Sequence, residues 1–410
     1  MKNMKKSKLI KKVAACLMVV VSIFAMCACK TTSDNSTGTT QNQAELTITD
    51  MIGRSVTVKP GSYKRVVCIG AGALRMYSYV GDVSLLCGVE DIDNTTLKDR
   101  PKMFDSVARP YVMAYSESFN KLPSCGVGGP NAQTAEAEKN KETNLDLVAG
   151  LTGEMLGEII VISEYEDVEK ENALYEQLGV PVITLKAGVN GVFDDSFKES
   201  MELLGKIFER ENEAEQLTQY IDDQRKQITE RTAGIEDKDK PSVYICGLGN
   251  WGTTNHLMTA QNYVSFNIAN VKNAVTGLAK NGIQSIEEEK FTDIGASIDI
   301  MIIDAAAVKN IKPLYKNNPD MFNTCKAWNN NEVYLEMAYN AYYTNYEIAL
   351  INTWYIAKTV YPELFKDVDI KEKTDEVTEA FLGKAMSDEI FSAPLSFGGY
   401  KKIDTATFFN

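Results

Sequence analysis

Short apolar runs alternate along this chain with stretches of helical spacing. Residues 46–58 alternate apolar and polar positions around Gly53 in the manner of a hairpin. Residues 65–69 form an apolar run that enters Gly70, Ala71 and Gly72 ahead of a helical pattern, the strand-turn-helix signature of a parallel sheet. The same grammar at residues 85–89, 159–163 and 182–185 predicts one α/β lobe over residues 45–190. From Phe197 the apolar positions Met201, Leu204, Ile207, Ala214, Leu217, Ile221 and Ile228 follow a helical stripe with charges between. They predict a rigid connecting helix within residues 191–237, long enough to reach roughly 50 Å at about 1.5 Å per residue. An ordinary amphipathic helix on a single core is the alternative. Strands resume at residues 242–246, 298–304 and 333–335, which predicts a second α/β lobe over residues 238–365 and a C-terminal helix and tail over 366–410. The expected fold class is α/β, with two Rossmann-like lobes joined by a long backbone helix and a ligand cleft between them.

The first residues follow a different pattern. Lys2, Lys5, Lys6, Lys8, Lys11 and Lys12 precede an apolar run over residues 13–26, too short to span a bilayer stably, which reads as an export signal over residues 1–28. Residues 29–44 are mostly Thr, Ser, Asn, Gln and Gly, with almost nothing to bury, and read as a flexible tether. Small residues lead into Cys29, which fits a lipidation site better than Cys27 behind the bulky Met26. The expected location is the extracytoplasmic face of the cell membrane, held there by a lipid anchor.

Composition narrows the chemistry. The chain has 410 residues, 43 of them Lys or Arg and 56 Asp or Glu. The first 28 residues carry six Lys and no acid, so the exported body is more acidic still, with a net charge near −19. Nucleic acid is excluded as a partner on that balance. A single histidine removes most zinc-site and Ser/His/Asp chemistry, which need several imidazoles or a fixed relay. Five cysteines remain beyond Cys29, namely Cys68, Cys87, Cys125, Cys246 and Cys325, an odd number with no evident disulfide framework.

Candidate binding residues fall on predicted loops. Gly247, Gly249 and Gly252 match G-x-G-x-x-G after a strand, but Trp251 would crowd a pyrophosphate, so the segment reads as a loop presenting Trp251 and His256 at a strand's carboxyl end. Thr344 and Glu347 form a capping-box pattern, which starts a helix at Thr344 and leaves Tyr339, Asn340, Tyr342 and Tyr343 on a strand-to-helix loop. Open α/β sheets bind ligands there, and tyrosines offer flat apolar faces with an orienting hydroxyl. The alternative is a helical aromatic stripe packed in the core. In the first lobe Arg75 follows the glycine turn, and Arg109, Tyr111 and Tyr115 lie on an expected loop around Pro110. Either arginine suits an anionic ligand or an ion pair between lobes.

A lipobox-like start, "TITDMIGRSVTV", "RVVCIGAGALRMYSYVG", "GIQSIEEEKF" before "IDIMIID", and "YNAYYTNYEIAL" before "YPELF" follow one another over about residues 46–383. In this order they resemble the helical-backbone substrate-binding proteins of ABC importers. The resemblance implies a receptor that catalyses no reaction, needs no cofactor and captures a metal-chelate or corrin-type small ligand, such as a ferric siderophore, haem or cobalamin, for a membrane permease. It also implies one docking acid per lobe, Asp146 after Asn144 and Leu145, and Glu287 after Ser285 and Ile286. A branch that binds bare zinc or manganese uses several histidines, which this chain lacks. An extracellular enzyme on a two-lobed scaffold, or a surface lipoprotein without transport, are the rival classes.

Overall fold

The computed structural model describes residues 44–128, 158–163, 179–186, 188, 191–249 and 255–409, with isolated positions at 169, 172 and 176. The signal, nearly all of the tether, Cys29, Asp146 and Trp251 lie outside the described residues.

Strands β1 (Leu46–Thr49) and β2 (Ser55–Val58) form the expected antiparallel hairpin. Beyond it, β3 (Val66–Ile69), β4 (Ile159–Ser163) and β5 (Val182–Leu185) make a parallel sheet in that order. All positions of β3 and β5 are buried, as expected where both faces of a parallel sheet are covered. The hairpin is pinned to β5 by a buried pair, Arg54 to Asp50 at 2.7 Å, whose guanidinium also donates to the Val182 carbonyl at 2.8 Å. Gly70 and Gly72 hold φ of 92° and 91° and turn β3 into helix α1 (Ala73–Val80). The strand expected at residues 85–89 does not form. Asp82 accepts the Ser84 amide at 2.9 Å and closes a turn over Val83–Leu85, leaving only isolated bridges from Leu86 to Val66 and from Val89 to Ser124.

The residues around Pro110 are also not a loop. Proline occupies the first position of helix α2 (Pro110–Phe119), where its missing amide costs nothing. The single expected connector is two helices, α3 (Asp195–Phe208) and α4 (Glu211–Thr232), the latter about 33 Å long. The chain reverses at Glu209, which takes a left-handed φ of 53°. Gly205 lets the two helices approach, since a Cβ there would lie 2.9 Å from that of Ala214.

The second lobe has strands β6 (Ser242–Cys246), β7 (Met258–Thr259), β8 (Lys272–Asn273), β9 (Gln284–Ser285), β10 (Ile300–Asp304), β11 (Val333–Glu336) and β12 (Lys401–Ile403). Its main sheet runs β12-β11-β10-β6-β8, parallel except for β12, while β7 and β9 pair separately. The chain leaves β6 towards β8 on one side and then crosses to β10 on the other, so the order reverses between β6 and β10. Helices α5 (Val264–Ile268) and α7 (Tyr346–Val360) pack on one another, and α6 (Glu288–Gly295) precedes β10.

The C-terminal segment ties the two halves together. Helix α8 (Ile370–Leu382) sets Phe381 against Tyr79 of α1 with ring centroids 5.0 Å apart, and Glu376 accepts the Tyr220 hydroxyl of α4 at 2.9 Å. After α8 the tail returns as β12 and covers the edge of β11, which would otherwise offer unpaired backbone groups.

Candidate functional site

The carboxyl end of β11 opens into the loop of residues 337–345, so Tyr339, Asn340, Tyr342 and Tyr343 occupy the strand-to-helix position expected of them. The capping box does not form. The helix begins two residues later than expected, at Tyr346 with Asn345 as N-cap, and Glu347 is fully buried, where it accepts a hydrogen bond from the Tyr79 hydroxyl. Tyr342 and Tyr343 hold φ of 52° and 71°, a conformation that bulky residues adopt only when their surroundings impose it.

What imposes it is the first lobe. Arg75, in the first turn of α1 and 0% exposed, donates Nη1 to the Tyr342 and Thr344 carbonyls at 2.9 Å each and Nη2 to the Ala341 carbonyl at 2.6 Å. Its guanidinium stacks 4.6 Å from the Tyr111 ring centroid. The Tyr342 hydroxyl donates to Glu90 at 2.7 Å, and Asn345 donates to the Ala108 carbonyl at 3.2 Å. Ala71, Ile92 and Phe104 of the first lobe pack with Tyr342 and Tyr343 in one apolar cluster. In this arrangement the two lobes touch through the loop, and Arg75 ties them by bonding backbone carbonyls rather than through the ion pair expected from the sequence.

Of the other first-lobe candidates, Arg109 and Tyr111 are buried. Arg109 pairs with Asp93 at 2.6 Å and donates to the Ile92 carbonyl at 3.0 Å. Tyr111 donates to the same Asp93 oxygen at 2.6 Å, and burial holds its phenol well above the ordinary range. Tyr115 is half-buried and donates to the Leu382 carbonyl at 3.2 Å, tying α2 to α8. Arg75, Tyr111, Tyr342 and Tyr343 are thus brought together, while Arg109 and Tyr115 serve contacts of their own.

His256, expected to be presented on a loop at a strand's carboxyl end, is instead 1% exposed, neither ring nitrogen has a hydrogen-bond partner, and it lies 5.1 and 5.0 Å from the ring centroids of Phe291 and Phe322. Burial pulls its pKa down to about 4, because this aromatic core cannot solvate an imidazolium. Among the described residues no group of three or more His, Cys, Asp or Glu could hold a metal ion.

Asn340 joins the two loops of the second lobe by donating to the Gly249 carbonyl at 2.9 Å. Beneath them stand two acids that the sequence reading passed over. Asp304 and Glu336 end β10 and β11, are register partners, and are both 0% exposed. Burial pushes Asp304 up to about 7, and burial followed by the neighbouring Asp304 holds Glu336 well above the carboxylate range. The visible signal was an acid closing each of the apolar runs "IMIID" and "VYLE". Glu287 is exposed at the N-cap of α6 with no side-chain capping bond.

Residues 129–337 match the model of a periplasmic binding protein family. No curated protein is significantly similar to the chain. Among solved structures, a periplasmic solute-binding protein from Veillonella parvula is similar with a TM-score of 0.62 at 17% identity, over 86% of this chain and 98% of its own. The molybdate-binding protein MolA of Haemophilus influenzae is similar at 0.58 and 16%, over 83% and 98%. CeuE of Helicobacter pylori, in complex with Ni-His, is similar at 0.56 and 15%, over 85% and 99%. These likenesses carry the two-lobed fold, and the family match covers more than half of the residues. The chain belongs to the periplasmic binding protein family, the extracytoplasmic substrate-binding proteins that deliver small ligands to ABC permeases.

Proposed function

We propose that this protein captures an iron complex, either a siderophore chelate or haem, or a corrinoid between its lobes and delivers it to a membrane permease. The observation that carries this reading is the loop of residues 337–345. Its carbonyls at Ala341, Tyr342 and Thr344 are held by Arg75, which stacks on Tyr111, and Tyr342 and Tyr343 pack against Ala71, Ile92 and Phe104 of the first lobe. Aromatic faces and a guanidinium recognise the rim of a large chelate or macrocycle without entering the metal's coordination sphere. Metal-bearing cargo also occurs among the similar structures, as molybdate in MolA and as Ni-His in CeuE. A bare ion suits this chain less, because His256 is enclosed by aromatic rings away from this loop. Trp251, outside the described residues, remains a candidate contact.

In this reading Arg75 reaches cargo only by exchanging the three loop carbonyls for ligand oxygens, so capture couples to movement of residues 337–345. Cys29 carries the lipid, and two or more acyl chains retain the protein at the membrane. Titration of tyrosine and tryptophan fluorescence with haem, cyanocobalamin and a panel of ferric siderophores tests the reading. Saturable quenching by one class supports it, and a flat response to all three sinks it.

A further inference from the structure

Two buried carboxylic acids of the second lobe stand without a countercharge. Asp304 and Glu336 are register partners at the carboxyl ends of adjacent parallel strands, so their side chains leave the sheet on the same face. Asp304 also borders the point between β6 and β10 where the strand order reverses, the place where open α/β sheets form ligand crevices. One oxygen of each acid is satisfied. Asp304 Oδ1 accepts the Ala306 amide at 2.8 Å, with the Gly249 amide also directed at this carboxylate, and Glu336 Oε1 accepts the Tyr263 hydroxyl at 3.1 Å. Asp304 Oδ2 and Glu336 Oε2, both buried, have no hydrogen-bond partner.

Of the other buried acids, Asp50 is met by Arg54 at 2.7 Å and Asp93 by Arg109 at 2.6 Å, Glu347 accepts the Tyr79 hydroxyl within the field of Arg75, and Glu90 accepts the Tyr342 hydroxyl. Around Asp304 and Glu336 the ionisable neighbours are Cys246 at the end of β6, Tyr263 beside α5, Tyr339 on the loop after β11, Tyr355 on α7 and Tyr400 ahead of β12, and none of them is a cation. The hydroxyl pair of Ser265 and Thr353 lies between α5 and α7, again without a positive charge. Two carboxylates taken out of water need a positive charge or a proton, since the cost of burying them ionised and unpaired is several kcal/mol each or more.

We propose that Asp304 and Glu336 form a binding site for one divalent cation, held through Asp304 Oδ2 and Glu336 Oε2. The charge of the pair matches a dication, and an oxygen-only donor set selects a hard ion such as Mg²⁺, Ca²⁺ or Mn²⁺ over zinc or copper. The ion stabilises the end of the sheet from which the loops of residues 247–249 and 337–345 emerge. This site is separate from cargo capture and does not depend on the identity of the cargo.

The exported chain, stripped with EDTA, is the material for the test. Equilibrium dialysis against Mg²⁺, Ca²⁺ and Mn²⁺ in turn should show one ion retained per chain for at least one of the three. Thermal unfolding should then rise by about 4 °C at a hundredfold excess over Kd. D304N and E336Q keep shape while removing charge, and each should lose retention by at least tenfold. Tyr263→Phe, which leaves both acids in place, should still retain the ion and shows that the region tolerates substitution. Retention of no ion, together with D304N and E336Q as stable as the parent, would mean that the pair carries only protons and overturns the site. Undiminished retention in the double variant overturns it as well, because the ion then sits elsewhere.

Discussion

Tyr342 of the second lobe donates its hydroxyl to Glu90 of the first at 2.7 Å while its own backbone is held at a φ of 52°. A strained residue makes a buried hydrogen bond across the two lobes. The bond is therefore part of what keeps the loop folded against α1. Tyr342→Phe removes it without changing the ring and should cost about 1–3 kcal/mol in urea unfolding. Unchanged stability would show that the contact is not formed in solution.

Arg75 acts on the same loop through three carbonyls. Arg75→Gln leaves at least one of them buried without a donor, so the loss should be at least ~2 kcal/mol. It should also free the loop, seen as faster proteolysis within residues 337–345. Arg75→Lys keeps the charge but not the planar fork and should behave like Arg75→Gln rather than like the parent. A lysine variant with parental stability and protease resistance would mean that charge, not fork geometry, holds the loop.

Glu209 ends α3 at a φ of 53°, and its carboxylate lies over Gly61. Glycine takes this conformation without the cost that a β-carbon adds, so Glu209→Gly should stabilise the protein by about 0.5–1 kcal/mol. A lower unfolding temperature would show that the carboxylate contributes more than the strain costs.

The core strands β3 to β6, β10 and β11 were legible because each is an apolar run closed by glycine or polar residues, whereas the run at 85–89 has the same pattern yet folds as a turn, and the short strands β7, β8, β9 and β12 carry no such run. The turn at Glu209 was not, because the seven-residue step from Ile207 to Ala214 fits two full helical turns as well as a reversal. Pro110 was read as fixing a loop, whereas a proline at a helix's first position leaves the same local pattern. Thr344 and Glu347 had the spacing of a capping box, but Glu347 is claimed by Tyr79, 268 residues earlier in the chain. The aromatic loop was legible from its place between a strand and a helix. Its clasp by Arg75, and the pairing of Asp304 with Glu336, depend on which strands and lobes meet, which local spacing does not encode.

His256 gives the fold a pH dependence of predictable sign. Its folded pKa of about 4 lies below the ordinary 6.5, so the folded state keeps it neutral while the unfolded chain takes up a proton first. Its contribution is therefore complete above pH 6.5 and is lost progressively as the pH falls towards 4. Between pH 7 and pH 5 the loss amounts to about 2 kcal/mol. His256→Leu should remove that part of the slope in urea unfolding followed across this range. An equal slope in parent and variant would place the titration elsewhere.

The docking role proposed for Glu287 and Asp146 is separable from a structural one. Glu287 is exposed, makes no side-chain capping bond at α6, and is followed there by Glu288 and Glu289. Its contribution to the helix is then limited to the dipole, about 0.3–1 kcal/mol, and part of that is supplied by the next two acids. Charge reversal should accordingly leave the folded body and its cargo affinity nearly intact. Contact with basic residues on the permease's outer face, by contrast, depends on the sign of the charge and weakens with salt. Asp146→Arg combined with Glu287→Arg should therefore abolish uptake in cells while unfolding temperature and cargo Kd stay close to the parent's. Uptake at the parental rate would remove both acids from the docking surface and leave Glu142, Glu288 and Glu289 to be reversed next.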